Sequence, residues 1–346
     1  MSGDARPRRI VVYRLGSLGD TVVALPCLHK VAQAYPDAER ILLTNVPVST
    51  KAAPLEAILG GSGLVHGYMS YPVGTRSLAE LSGLRTRLRA LGAETLVYLT
   101  PSRGLAGAVR DLMYFKLCGF RHVVGAPLSP DLQRHRRGAD GLLERECERL
   151  ARCMAPLGDV ALDDPRSWDL RLSAAEAQAA ANALGAAAAQ PRIAINMGGK
   201  VARNDWGETN WRALVTLLRR ECGGHALLFV GAAEDEARAA RVGALWPGPV
   251  ANLCGRVTPR VSAAAMAGAR VFVGHDSGPL HLASSVGVPC VGLYGDNHEP
   301  RKWHPYGDHH RILHDMNGVP AIGVEAVARA VLAEVAIAQV PQAAAS

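Results

Sequence analysis

The sequence predicts an α/β protein of two doubly wound domains, each a parallel sheet covered by helices, facing across a cleft. Three observations carry this. Short continuous apolar runs, such as RIVVY at 9–13 and RIAIN at 192–196, read as strands buried on both faces. Segments with helical apolar spacing alternate with them. The alternation occurs twice, separated by the polar, proline-containing stretch Asp163-Asp164-Pro165-Arg166-Ser167. We therefore expect domains over residues 1–165 and 172–346, with the boundary at about 160 to 173.

The length of 346 residues suits two such domains and a substantial core. Hydrophobic residues make up 49% and charged residues 20%, the balance of a soluble globular chain. The net charge of +7 and a pI near 9.2 come mostly from scattered arginines. They fit a phosphorylated substrate or an anionic membrane surface, and equally ordinary solubilising charge. With 5% aromatic residues there is no stacking platform for nucleic acid. The seven cysteines (27, 118, 147, 153, 222, 254, 290) form neither a CxxC pair nor a zinc spacing, so buried free thiols in a reducing compartment are expected. The start, MSGDARPRR, lacks an apolar signal core and no run reaches membrane-spanning length. The expectation is a cytoplasmic protein, with peripheral contact at the inner-membrane surface compatible with its charge.

In the first half, the strand at 9–13 runs into Arg14-Leu15-Gly16-Ser17-Leu18-Gly19-Asp20, and a helix is expected over 21–34. The two glycines permit a tight turn, but a third is missing, so this is no dinucleotide fingerprint. Asp20 stands at the carboxyl end of the first strand, the edge where open α/β sheets bind ligands. It reads either as a catalytic acid or as a helix cap. Strands follow at 40–44 and 96–99, with a helix over 77–91 between them. Then come the loop Thr100-Pro101-Ser102-Arg103-Gly104, a helix over 105–117, a short strand from 123, the basic run Arg134-His135-Arg136-Arg137, and a helix over 142–157.

In the second half, Ser173 and Glu176 form a capping box opening an alanine-rich helix to 189. The strand at 192–196 leads into a glycine-rich loop containing Gly198, Gly199, Lys200, Arg203 and Trp206. A helix over 211–221 follows, then a strand at 226–230 ending in Gly231-Ala232-Ala233-Glu234-Asp235. A short helix at 259–267 precedes the element around which the half is organised. There a buried strand to Val273 runs into Gly274-His275-Asp276-Ser277-Gly278-Pro279. Asp276 and Ser277 are good caps and Gly278-Pro279 can open a helix, which Gly287 and Pro289 stop before a strand at 290–294. A helix N-terminus carrying an acid, a hydroxyl and a glycine is a ready phosphate site, or simply a capped βαβ unit. A last helix is expected over 324–338.

Three of these stretches resemble glycosyltransferase family 9, the ADP-heptose:lipopolysaccharide heptosyltransferases. They are Arg14 to Asp20 with Pro26; Gly198 to Trp211 with Trp206 and Asn210-Trp211; and Asp276-Ser277-Gly278-Pro279-Leu280-His281-Leu282-Ala283 with Gly287-Val288-Pro289 and Leu293-Tyr294-Gly295. The resemblance implies a GT-B fold of two Rossmann-like domains, acceptor on the first and nucleotide sugar on the second, with the last helix crossing back to the first. It implies inverting transfer of a heptose from ADP-heptose, without a metal, to a lipopolysaccharide core or related anionic glycolipid. Asp20 matches the base that deprotonates the acceptor hydroxyl. Asp276, Ser277 and Gly278 match donor and phosphate contacts. Asp235 matches an acid on the nucleotide ribose, with Glu234 its close competitor. His281, one helical turn from Ser277, reads either as a phosphate or nucleoside contact or as a packed core residue. Arg14, Ser102 and Arg103 are acceptor-side candidates. The sequence departs from the family at Asn204, where a lysine is usual, so Lys200 or Arg203 is expected to supply the cation.

The runner-up among enzymes is the same fold using another nucleotide sugar or another acceptor, such as an O-chain, a capsule or a small-molecule glycoside, and two other classes compete. A nucleotide-sugar-binding protein without activity would have no need of Asp20. A nicotinamide-dependent enzyme lacks both the third glycine and an acid after the second strand, which ends at Thr44-Asn45. No Asp-x-Asp or His/Cys cluster suggests a metal, and no cofactor beyond the nucleotide sugar is expected.

Overall fold

The fold is that of a computed structural model, which describes residues 7–46, 53–199 and 202–337. The chain divides into two compact units, Met1–Arg171 and Leu172–Ser346. In the first the order is β1 (Arg9–Tyr13), α1 (Leu18–Val23), α2 (Leu25–Ala34), β2 (Glu39–Asn45), α3 (Glu56–Leu59), β3 (Gly67–Tyr71), α4 (Leu78–Ala90), β4 (Thr95–Tyr98), α5 (Gly104–Leu117), β5 (His122–Val124), α6 (Pro130–Gln133) and α7 (Glu146–Cys153). The second contains α8 (Ala174–Leu184), β6 (Arg192–Asn196), α9 (Glu208–Glu221), β7 (Ala226–Phe229), α10 (Glu236–Gly243), β8 (Val250–Asn252), α11 (Pro259–Met266), β9 (Val271–His275), α12 (Gly278–Ser285), β10 (Cys290–Tyr294), β11 (Arg311–His314) and α13 (Val324–Ile337).

Both sheets are parallel throughout, in the orders β3-β2-β1-β4-β5 and β11-β10-β9-β6-β7-β8. Each order reverses direction once, between β1 and β4 and between β6 and β9. These are the switch points outside whose carboxyl ends doubly wound folds hold ligands. The central strands are buried end to end because helices cover both faces, which is why they read as unbroken apolar runs. Tyr13, Tyr98, Phe115 and Phe120 lead one core; Trp206, Trp211, Phe229 and Val331 belong to the other. All seven cysteines are free and buried.

Several elements differ from the sequence expectation. The helix expected over 21–34 begins at Leu18 and breaks at Ala24, ahead of Pro26, so Asp20 lies inside the first turn. The helix over 142–157 shrinks to α7 plus a 3₁₀ turn, and the alanine-rich helix turns 3₁₀ at Gly185. Strands β3, β8 and β11 and helix α10 were not anticipated. Within its described residues helix α13 packs Val327, Val331 and Val335 into the second unit's own core.

Candidate functional site

At the β1/β4 switch point, residues 14–20 form a tight turn around Asp20. Asp20 Oδ2 accepts hydrogen bonds from Ser17 N–H (2.6 Å) and Ser17 Oγ–H (2.8 Å). The Asp20 carboxylate lies against Gly16, where an added Cβ would sit 2.6 Å from Asp20 Cβ and 2.8 Å from Oδ2. Gly16 also has φ +128°, so glycine is required there twice over. Its N–H donates to Asn45 Oδ1 (2.9 Å), tying the turn to the end of β2. Among the described residues Asp20 Oδ1 accepts no hydrogen bond, and Asp20 is half-buried. One carboxylate oxygen is thus held as a cap while the other is left to take a proton.

The structure places Arg14 beneath the turn, with its side chain 0% exposed. It donates to the Leu99 carbonyl (3.2 Å) and to the Asp20 carbonyl, bracing the turn from beneath. Burial lowers its pKa from the ordinary arginine value. Ser102 is exposed and donates to Gln133 Oε1. Arg103 is half-buried and donates to Tyr13 Oη (3.0 Å) and Asp111 Oδ2 (2.9 Å), within a network that Tyr98 and Tyr71 complete. Beneath the same loops lies a buried group that sequence reasoning missed. Arg149 donates to both Glu146 carboxylate oxygens (2.6 and 2.8 Å) and to the Thr100 and Leu132 carbonyls (both 3.0 Å). His135 Nε2 lies 2.8 Å from Glu146 Oε2. Burial alone would raise the Glu146 pKa, but hydrogen bonds from Arg149 and His135 prevail and hold it down to about 2. So the basic run 134–137 is partly structural.

At the β6/β9 switch point, Ser277 is the residue that caps α12, not Asp276. Its hydroxyl, however, donates to Asn196 Oδ1 (2.9 Å), and Asn196 Nδ2 donates to the Val230 carbonyl (2.9 Å). This chain joins the ends of β9, β6 and β7 and leaves the first turn of α12 with no side-chain cap. Asp235 sits in the same cluster: an added Cβ on Gly198 or Gly231 would lie 2.6 Å from its carboxylate atoms. Both glycines therefore make room for that carboxylate, whose Oδ2 accepts from Ala232 N–H (3.0 Å). Burial, with Glu234 adding to it, raises the Asp235 pKa. Glu234 is exposed and Asp276 half-buried. Arg203 is exposed, 3.9 Å from Asp296. Lys200 lies outside the described residues. His281 is 5% exposed, packed within the unit. Asn204, at the departure from the family pattern, is buried, and its Oδ1 has no hydrogen-bond partner among the described residues. No group of three or more His, Cys, Asp or Glu among the described residues could hold a metal.

His275 organises the glycine-rich loop and was not singled out from the sequence. It is buried at the end of β9; its Nε2 accepts from Trp206 N–H (3.1 Å) and its Nδ1 faces the Gly198 carbonyl (3.4 Å). The pattern fixes a neutral ring protonated at Nδ1. Arg238 clamps Asp205 of the same loop with two 2.8 Å bonds. Burial drives the His275 pKa down to about 4, against small upward pulls from the Gly198 carbonyl and Asp205. The unfolded chain takes up that proton near pH 6.5 and the folded one only near 4, so stability falls as pH drops through this window. We predict a loss of about 3 kcal/mol from this residue between pH 7 and 4. Urea unfolding should show a shallower pH dependence for His275→Gln; an unchanged slope would reject the assignment.

Two doubly wound parallel sheets with loop clusters at their switch points define the GT-B class of glycosyltransferase folds. The family model of glycosyltransferase family 9 (heptosyltransferase) matches residues 133–324, more than half of the sequence, and the chain belongs to that family. Among solved structures, it is similar to a family 9 glycosyltransferase from Veillonella parvula (20% identity, 95% of this chain and 98% of the other, TM-score 0.73). It is also similar to the E. coli ADP-heptose lps heptosyltransferase II (18%, 95% and 99%, 0.67) and to E. coli heptosyltransferase WaaC with ADP (19%, 94% and 99%, 0.65). Among curated proteins no sequence matches.

Proposed function

We propose that this glycosyltransferase moves a heptose from ADP-heptose onto a lipopolysaccharide core or related anionic glycan, with inversion and without a metal, in the cytoplasm. One observation carries the reading: Asp20 is held by one carboxylate oxygen at a switch point, with the other unpartnered among the described residues. In the proposed reaction that oxygen takes the acceptor hydroxyl proton as the hydroxyl oxygen bonds to the anomeric carbon. The bond from that carbon to the β-phosphate oxygen breaks, and ADP leaves with the electron pair. The uncapped first turn of α12 at Ser277-Gly278, Asp276, and the cations Arg203 and Lys200 form the proposed donor site, with the helix dipole stabilising the departing diphosphate. Asp235, already set into the loop cluster, is proposed for the ribose in preference to the exposed Glu234. Family membership and similarity to two proteins named as heptosyltransferases, one described with ADP, support the donor.

A second donor is favoured by one residue. Asn204, buried where the family pattern has lysine, offers the site an amide and no charge. Thermal unfolding in chelator with a nucleotide panel tests the two. ADP at a hundredfold excess over its Kd should stabilise by about 2.7 kcal/mol, and UDP, GDP and NAD should not. A shift with UDP or GDP alone would move the assignment to another nucleotide sugar. Turnover should persist in chelator; activity lost there and restored by magnesium would reject metal independence.

A further inference from the structure

We propose that the outer face of α5 is a docking surface for an anionic phospholipid membrane. A helix lying on a sheet ordinarily turns polar residues to water. Helix α5 does the reverse. Ala108, Asp111 and Phe115 are buried against the first unit, while Leu105, Val109, Met113 and Leu117 are 45%, 41%, 64% and 62% exposed. These four recur at every fourth position, so they form one apolar stripe along the helix. The remaining long side chains on the exposed side are Arg110 and Lys116, and no acid is exposed on this helix. Leu78, at the start of α4, is 83% exposed.

The surroundings are cationic. Residues 76–121 contain eight Lys or Arg against three Asp or Glu, a net +5 within a chain of net +7. Two of the three acids are paired with cations: Asp111 is buried against Arg103 and Arg110, and Glu94 pairs with Arg121 at 3.0 Å; the third, Glu80, is exposed and accepts from Thr75. Arg85 and Arg89 both donate to the Leu117 carbonyl (3.1 and 3.2 Å), which sets two guanidinium groups beside the end of the stripe. Apolar side chains edged by cations are what a helix lying in an anionic lipid interface needs: the chains enter the acyl boundary and the cations meet the phosphates. Charge also argues against a second copy as the occupant. A two-fold interface would set this patch against itself, cation facing cation. No helix among the described residues is long and apolar enough to cross a membrane, so the contact is one of adsorption. The proposal stands independently of the donor reading, although α5 begins directly after Ser102 and Arg103.

The test is co-sedimentation of the full chain with vesicles of phosphatidylcholine alone and of phosphatidylcholine mixed with phosphatidylglycerol. Wild-type protein should bind the mixed vesicles, less so in high salt, and bind the neutral ones weakly. The double variant Val109→Asp/Met113→Asp should lose at least about tenfold in partitioning, since it removes two inserted side chains and adds two repelled charges. Met113→Leu should retain binding, and Arg110→Ser/Lys116→Ser should lose it on mixed vesicles alone. Val109 and Met113 are exposed apolar positions, so the melting temperature and ADP-induced shift of the double aspartate variant should be unchanged. That shift reports on the nucleotide site separately. Absence of wild-type binding to mixed vesicles would overturn the proposal, as would undiminished binding by the double aspartate variant. So would a wild-type dimer that the double aspartate variant converts to monomer.

Discussion

Arg149→Met is expected to destabilise the first unit by about 3 to 5 kcal/mol at neutral pH, with its melting temperature falling by roughly 10 °C. Methionine fills much of the space but leaves Glu146 buried without its bidentate partner, and leaves the Thr100 and Leu132 carbonyls without their donor. An uncompensated buried charge costs far more than the net worth of the pair. The pH signature distinguishes this cause from simple mispacking. In the wild type, the carboxyl held at about 2 contributes stability above its ordinary range, lost only as pH falls toward 2. In the variant, burial is left to raise that pKa, so the penalty should shrink as the pH falls and Glu146 takes a proton. A melting series from neutral to acid pH checks this. A deficit independent of pH would show that the ion pair is not what holds these loops.

What the sequence made legible follows from burial. Strands β1, β6, β9 and β10 are covered on both faces and stood out as apolar runs. Strands β3, β8 and β11 lie at sheet edges, and β8 and β11 are short. With partly exposed residues such as those of GYMSY and RILH they carry neither an apolar run nor a clean alternation. The turn from Gly16 to Asp20 was readable because glycine spacing is local. Its anchor on Asn45 was not, because that contact joins residues 29 apart. Glu146 and Arg149 have the spacing of an ordinary i,i+3 surface pair, and only tertiary packing buries them. The burial of Arg14 was not readable either: its guanidinium reaches the Leu99 and Asp20 carbonyls through tertiary packing that a cation in a loop does not announce. His275 sits between a buried strand and Asp276, and nothing in GHDSG distinguishes a loop ligand from a strand-end pin. The tryptophans at 206 and 211 served as family landmarks; the structure shows why such residues are needed, since their edge-to-face contact at 4.9 Å is central to the second core.

The central claim is that Asp20 is a working base, and Asp20→Asn tests it most directly. Asparagine keeps the size of the side chain. Its Oδ1, set where Asp20 Oδ2 lies, can still accept from both Ser17 N–H and the Ser17 hydroxyl, so the cap survives with a change within about 1 kcal/mol. The proton acceptor is gone. The measurement is the transfer rate of this variant alongside its melting temperature and its ADP-induced shift. The account predicts a rate lower by roughly a hundred- to ten-thousandfold, or about 3 to 5 kcal/mol of barrier, with folding and ADP binding intact. An active variant with unchanged melting temperature would contradict it, leaving Asp20 a helix cap and the base elsewhere.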